Sequence, residues 1–410
     1  MISILVGSAM VGYTVPELPK CASWGRREAL SLGTAATTAV FAGEMPAMAE
    51  EPSVPIKAQW SATDGFSNKD FIAFDEGAYA AMRDDERRTP LFEKAIQQRL
   101  AAAPPNTLTV VEIGTGPYAL LAIAAARAGA RKVYSVEANP EAAKRARAAL
   151  KQAGMGPEKV EVLEGFSTQV SLPEKVDLLV AEIAGSIASE EGACATIRDA
   201  QARFLKKPAE PDSYIPYACQ TLAAPASYAL HYALGPPAFD WTKLKEPVRL
   251  NCRDESVQLL AQPQLLEQIT FSDTHLPASG RVQGAPLTWR VDAARVEANQ
   301  AVFYDELRRE GAKEGEASSL SRSVARSVSG LVMWPRLLLD PQGTLVVESR
   351  GPNGEHQKSH WQTVLPLMAA RPVAVAAAPP STIRVALSVD YGGGEVNTPL
   401  KYSLEGSVSS

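Results

Sequence analysis

From residue 108 to 205, short apolar runs alternate with stretches of helix length, and nothing else in this 410-residue chain restricts its fold as much. The runs 108–113, 132–136, 160–163 and 176–183 read as strands. Helices are expected between them through about residue 128, over 140–153 and up to about 205. Strands joined by helical crossovers run parallel and are covered on both faces, so this part predicts an α/β, Rossmann-like domain. After about residue 210 proline becomes frequent and helices become scarce. Apolar runs recur at 220–224, 248–250, 287–291, 330–339, 343–347, 363–368 and 383–389. They read as antiparallel sheet, a β-barrel or sandwich, interrupted by a helix over 293–310 and a charged, serine-rich stretch to about 327. The expected division is a leader over 1–60, the α/β domain over 61–212 and the β-rich domain over 213–410.

A formal net charge of −5 gives no electrostatic footprint for nucleic acid. No stretch approaches the roughly 18 apolar residues that would span a bilayer, so no membrane partner is expected. Four histidines and four cysteines (Cys21, Cys194, Cys219, Cys252) lack metal or redox spacing. No metal is expected, and the cysteines read as small apolar side chains. The leader carries a different signal. Arg26-Arg27 precede the weakly apolar LSLGTAATTAVFAG, and Ala47-Met48-Ala49 places small residues ahead of Glu50-Glu51. This resembles a twin-arginine export signal, and its offset into the chain resembles the second half of an address for the plastid thylakoid lumen. The alternative is a disordered leader with two chance arginines, on a protein of the cytoplasm or nucleus.

The sharpest local signal is Val110-Val-Glu-Ile-Gly-Thr-Gly-Pro117, with Glu137 closing the next strand. Gly114 and Gly116 let the backbone approach a ligand where a Cβ would intervene. An acid at the end of the following strand can accept hydrogen bonds from both hydroxyls of a ribose, and Glu137 has that spacing. A dinucleotide site wants a third glycine, but Ala119 and Leu120 stand there. Glu112, two residues before Gly114, is where methyltransferases often carry an acid facing the methionine end of their cofactor. These features favour S-adenosylmethionine over NAD. A tight turn with no ligand is the bland alternative.

Taken with 128–133 and Val136-Glu137, this turn resembles the protein arginine methyltransferases, a likeness that extends over most of 70–370. Upstream, 79–89 resembles that family's lid helix. The resemblance implies Met82 beside the sulfonium, Arg88 on the cofactor carboxylate as a bidentate clamp, and Tyr79 at the substrate. A charged solvated helix would read the same. Next, Glu182 and Glu191 stand nine positions apart after the fourth strand. The resemblance implies that they grip the substrate guanidinium and orient one nitrogen toward the methyl group. Ser189 as a helix cap, with Glu190 and Glu191 in its first turn, is the structural alternative for the second acid. Glu190 can replace Glu191 if the loop is one residue tighter.

Asp212-Ser-Tyr-Ile-Pro216 resembles the segment leaving the cofactor domain. Ser359-His360-Trp361 resembles a Thr-His-Trp loop, in which His360 pairs with Asp85 and can pass on a proton. Trp361 would wall the arginine channel by cation–π contact. Three positions depart from the pattern: Ser359 replaces the threonine of that loop, Ile183 replaces an aromatic, and Ser167 or Thr168 stands where an acid often meets the adenine. The resemblance implies a methyltransferase acting on a protein arginine, and a homodimer formed through an arm, for which 227–245 is the candidate. A small-molecule methyltransferase and an inactive binding relative are the rivals.

Overall fold

The computed structural model describes residues 53–62, 76–237, 239–393 and 399–409. The twin arginines and small-residue triplet of the leader lie outside the described residues. The first described element is a strand, β1 (Ser53–Ser61), in a stretch the sequence reading gave to the leader. Its Ile56 and Trp60 are buried on one face while Lys57 and Gln59 on the other are exposed, the period of a half-covered strand. The prolines at 52 and 55 obscure that pattern in the sequence, yet an edge strand tolerates them.

Helices α1 (Glu76–Arg83) and α2 (Thr89–Ala101) lead into the α/β domain. There β2 (Thr109–Ile113), α3 (Leu120–Arg127), β3 (Lys132–Glu137), α4 (Pro140–Gln152), β4 (Val160–Glu164), β5 (Leu178–Ala181), α5 (Ala193–Arg203) and β6 (Tyr214–Ile215) follow. The strands are all parallel, in the order β4-β3-β2-β5-β6. Every residue of β2 and β5 is buried, as expected of strands covered on both faces. Helix α4 starts where its sequence says it should: the Asn139 side chain accepts from the Glu141 and Ala142 N–H groups, ahead of Pro140 in the first turn. The parallel sheet runs on to Ile215, three residues past the expected boundary, and the chain leaves through a cis Ile215–Pro216 bond.

The second domain holds two antiparallel sheets that make the β-barrel. One contains β7 (Ala218–Tyr228), β8 (Val248–Asn251), β9 (Val257–Leu259), β10 (Gln264–Thr270), β14 (Gly330–Leu338), β15 (Val346–Glu348) and β16 (Gln362–Leu365). The other joins β1, β11 (Arg281–Gln283), β12 (Leu287–Arg290), β18 (Thr382–Asp390) and β19 (Lys401–Ser409), with β1 paired to β19 along its whole length. A short pair, β13 (Ser327–Val328) with β17 (Val373–Ala374), accompanies them. The serine-rich stretch after the expected helix (observed at Ala293–Arg309) is itself helical over Glu314–Ala325, burying Ala317, Ser321 and Val324 on one face.

The candidate dimer arm at 227–245 begins at the end of β7 and continues as a short helix over Ala229–Ala233. Within it Trp241 is buried, its indole N–H bonded to the Leu234 carbonyl and its ring edge-on to Tyr228 and His231, and it shares a hydrophobic cluster with Leu250 and Trp334 of the barrel. Cys194, Cys219 and Cys252 are buried and free. Trp60 stacks on Tyr402 at 5.2 Å and fastens β1 to the barrel. Trp60→Ala is expected to cost about 3–5 kcal/mol in urea denaturation, the loss typical of a buried aromatic. A loss below 1 kcal/mol would mean that β1 is not part of the folded core.

Candidate active site

Strands β2 and β5 are neighbours whose following connections diverge, and α/β folds bind ligands in the crevice such a reversal leaves at the strands' C-terminal ends. Three loops reach this crevice, from the ends of β2, β3 and β5. In the first, Gly114 and Gly116 adopt left-handed φ angles of +81° and +63°, costly for residues with a Cβ. A Cβ on Gly114 would stand 3.6 Å from Ile183, and one on Gly116 3.6 Å from the Tyr79 ring. Glu137, buried at the end of β3, accepts the Gly116 N–H on one oxygen (2.7 Å) and the Asn139 N–H on the other (2.8 Å). Burial raises its carboxyl above the ordinary range, against the pull of those two donors.

Two residues make contacts that the sequence did not suggest. Glu112 is turned inward beneath the glycine turn, where the Thr115 and Ser135 hydroxyls both donate to one of its oxygens, at 2.8 and 2.6 Å. It is 2% exposed, so its visible work is to brace the turn. Burial raises its carboxyl as well, opposed by those hydroxyls. Tyr79, expected at the substrate, lies over Gly116 close to Glu137 and Asn139. Burial and then the Glu137 charge push its phenol up to about 12. That is the side of the crevice where a ribose would lie.

The expected lid helix is two helices with a turn between them. Helix α1 ends at Arg83, with Met82 half-buried in its last turn, and Arg88 is the N-cap of α2. Asp85 organises the turn, taking the Arg87 N–H on Oδ1 (3.0 Å). Its Oδ2 accepts from the His360 backbone N–H (3.1 Å) and ring Nδ1 (2.8 Å) across 275 positions of sequence. The His360 ring rests on Trp361 at 3.8 Å, and the Trp361 indole N–H donates to the Ala184 carbonyl (2.9 Å). The lid, the His-Trp loop and the loop after β5 are therefore linked in one chain of contacts. Burial works to raise the Asp85 carboxyl, but the donors from His360 and Arg87 outweigh it and hold it below 3.8. The depressed value means that Asp85 contributes stability above its ordinary pKa and loses it as pH falls through the folded one. Asp85→Asn is expected to cost about 1–3 kcal/mol at pH 7, the difference shrinking in acid. Urea melts at neutral and acidic pH measure this, and a cost independent of pH would contradict it.

The loop after β5 gathers the acids. Arg88 donates to one oxygen of Glu182 through Nη2 (2.5 Å) and Nε (3.1 Å), and both side chains are under a tenth exposed. Gly185 lets the loop fold on itself, since a Cβ there would come within 2.9 Å of Glu190 and 3.2 Å of Glu191. Glu190 is buried and held by an ion pair with Arg249 of β8. Glu191 has no such ion pair among the described residues. Burial, with Glu182 and Glu190 close by, pushes its carboxyl up to about 8 even with Arg249 opposing. Ser189 bonds the Tyr402 hydroxyl at 2.8 Å, so the Trp60–Tyr402 stack also supports the acidic loop. Ser167 and Thr168 lie half-buried on the turn after β4, which Arg203 holds through the carbonyl oxygens of Ser167 and Val170. Arg249 and Tyr402 were missed in the sequence because each sits in an ordinary strand pattern with nothing local to mark it. Among the described residues no cluster could hold a metal.

A Rossmann-like domain with these three loops, joined to an antiparallel barrel that supplies the His-Trp loop, is the fold of the protein arginine methyltransferases. Solved structures similar to it include the PRMT1 enzyme–prozyme heterotetrameric complex of Trypanosoma brucei with AdoHcy, and Arabidopsis thaliana protein arginine methyltransferase 10 in an open conformation. Their TM-scores are 0.56 and 0.58 at 17% and 18% identity, over 81% and 83% of this chain and 98% and 99% of theirs. Residues 93–190 match the family model of ribosomal protein L11 methyltransferase, PrmA. Among curated relatives, protein arginine N-methyltransferase PRMT10 of Arabidopsis thaliana is 44% identical over 98 residues, 24% of this chain and 25% of that one. The arginine N(omega)-methyltransferase of Streptomyces achromogenes subsp. streptozoticus is 33% identical over 174 residues, 40% of this chain and 46% of that one. The chain thus matches between a quarter and a half of the length of these curated relatives.

Proposed function

We propose that this chain is an S-adenosylmethionine-dependent methyltransferase that acts on a guanidinium nitrogen of a protein arginine. One observation carries the reading. A guanidinium, that of Arg88, already sits on Glu182 through two nitrogens, with the charged neighbourhood of Glu191 alongside. The loop after β5 is therefore chemically suited to a substrate guanidinium. The names of the relatives point the same way.

The residues present fit the donor: two left-handed glycines, a buried carboxylate at the following strand end and a buried arginine at the lid. When bound, S-adenosylmethionine supplies a methyl group already activated on a sulfonium. The protein's work is then positional. Glu137 would hold the ribose hydroxyls, and Arg88 the donor carboxylate. Met82 and the glycine turn would line the methionine end, with Ser167 or Thr168 near the adenine. Glu182, which Arg88 engages through Oε2 alone, would orient the guanidinium through its other oxygen together with Glu191, Glu190 being engaged by Arg249. Trp361 would offer its ring face to the substrate cation. The Asp85–His360 pair would fasten the lid and carry a proton away.

A second reading, transfer to free arginine, is favoured by the likeness to the Streptomyces enzyme. Incubation with labelled donor, an arginine-rich peptide and free arginine separates the two. Methylarginine in the peptide, lost in Glu182→Gln, supports the proposal. Label in free arginine alone moves the assignment to the second reading, and a protein that binds donor but transfers to neither is a binding relative. Homodimerisation and a plastid address within residues 1–49 belong to the same proposal. Light scattering and import of a fluorescent fusion test them.

A further inference from the structure

Strand β10 of the barrel carries an acid where an apolar residue belongs. Leu265 is 43% exposed, while Glu267, two positions on, turns its carboxyl toward the buried Thr221. Ordinary burial would put the leucine inside and the acid in water. A bulge makes the inversion. The register with β7 slips between Leu265 and Glu267, which leaves Leu266 as the extra residue and sets Glu267 opposite Thr221. A strand that bends to bury an acid has to supply it with hydrogen-bond donors, and here they lead to the acidic loop after β5.

Glu267 accepts the Thr221 hydroxyl on Oε2 (3.0 Å), and the same hydroxyl accepts the Ala188 N–H (2.9 Å). Burial raises the Glu267 carboxyl, and the hydroxyl and N–H of Ser189 join Thr221 in pulling it back. Ala188, Ser189 and Thr221 are all fully buried. Beyond them the loop closes on itself: the Gly192 N–H donates to the Ser189 carbonyl (3.2 Å), and the Glu190 N–H to that of Ile187 (3.0 Å). Glu191 is thus enclosed in a turn whose first residue is fixed from the barrel. Glu190 is held through its side chain by Arg249, whereas the place of Glu191 follows from the backbone of that turn.

We propose that Glu267 is a positioning residue for methyl transfer, which through Thr221 and Ser189 sets where the acidic loop presents Glu191. This rests on the function proposed above. It explains why the barrel strand is bulged at this point, and it gives the second domain a share in orienting the acceptor.

The test compares four full-length proteins: the wild type, Glu267→Gln, Glu191→Gln and the double substitution. Each is assayed for transfer to an arginine-rich peptide, titrated with donor by calorimetry and melted. Glu267→Gln keeps the size of the side chain but turns an amide N–H toward groups that need an acceptor. It is expected to lower kcat by about tenfold or more, with donor Kd within about twofold of wild type. In the Glu191→Gln background it should cost less than about twofold, because the acid it positions is already disabled. Thr221→Val deletes the link to Ala188 at constant shape. It should show the same pattern, and it decides the matter if Glu267→Gln does not melt cooperatively. Activity of the single variants within about twofold of wild type would overturn the proposal. So would an equal loss in both backgrounds or a parallel loss of donor affinity, since either marks a general structural role. A wild type that methylates no guanidinium removes this proposal together with the function beneath it. Transfer by the wild type with both variants unaffected removes this proposal alone.

Discussion

Glu137→Ala is expected to weaken S-adenosylmethionine binding by roughly 10²–10⁴-fold. A ribose offers two hydroxyls to one ionised carboxylate, and hydrogen bonds to a charged group contribute about 1.5–3 kcal/mol each. The substitution also withdraws the acceptor that holds the Gly116 and Asn139 N–H groups, so the turn loses its fixed shape. Calorimetric titration of donor into the wild type and the variant measures the effect, with a thermal melt to show that the variant folds. Binding within tenfold of the wild type would remove Glu137 from the donor site. Tight binding of NAD in place of the donor would overturn the cofactor assignment as a whole.

Glu191→Gln is expected to lower methyl transfer by at least about 100-fold while leaving donor affinity near its wild-type value. Misplacing one reacting group by a fraction of its contact distance has effects of that size. The same change has a pH signature. With its carboxyl raised to about 8, Glu191 must ionise before it can grip a cation, so wild-type kcat/KM should climb as pH rises through that region. The variant should lack that limb. Stability runs the other way. Between its ordinary 4.5 and about 8 the folded chain keeps a proton that the unfolded chain has released, so stability falls as pH rises through that window. The variant escapes this loss. It should melt higher than the wild type at pH 9 and close to it at pH 4. A variant that melts lower at pH 9 would place Glu191 in a stabilising contact instead.

Most of the α/β domain could be read from the sequence because its signals are local. Glycines at 114 and 116, an acid at 137 and a helix opening at Pro140 each occupy their expected element. The barrel was read in outline only. Runs with strong apolar content, such as the one containing Val332 and Trp334, were found. Strands β10 and β11, which show exposed or half-buried residues at most positions, were not. β19 carries Tyr402, Leu404 and Val408 at alternate positions, but glycine and serines between them dilute the pattern.

In the site, the family resemblance pointed to the acids, whereas nothing in the sequence marked their counter-ions. Arg88 on Glu182, 94 positions apart within the α/β domain, and Arg249 on Glu190, from one domain to the other, are long-range choices made by tertiary packing. The inward turn of Glu112 has the same origin. It depends on hydroxyls at 115 and 135 meeting beneath one strand end, which no spacing rule expresses.

The pairing of β1 with β19 bears on how the chain is made. Gln59 and Ser403 face each other across 344 positions, with the entire α/β domain between them in sequence. At a synthesis rate of about 5–20 residues per second, β1 leaves the ribosome roughly 17–70 s before its partner exists. The α/β domain can close in that interval, since its strands pair with near neighbours. β1 meanwhile presents an unsatisfied edge to the cytosol or to a chaperone. Emergence of β19 is therefore the event that gives β1 its partner.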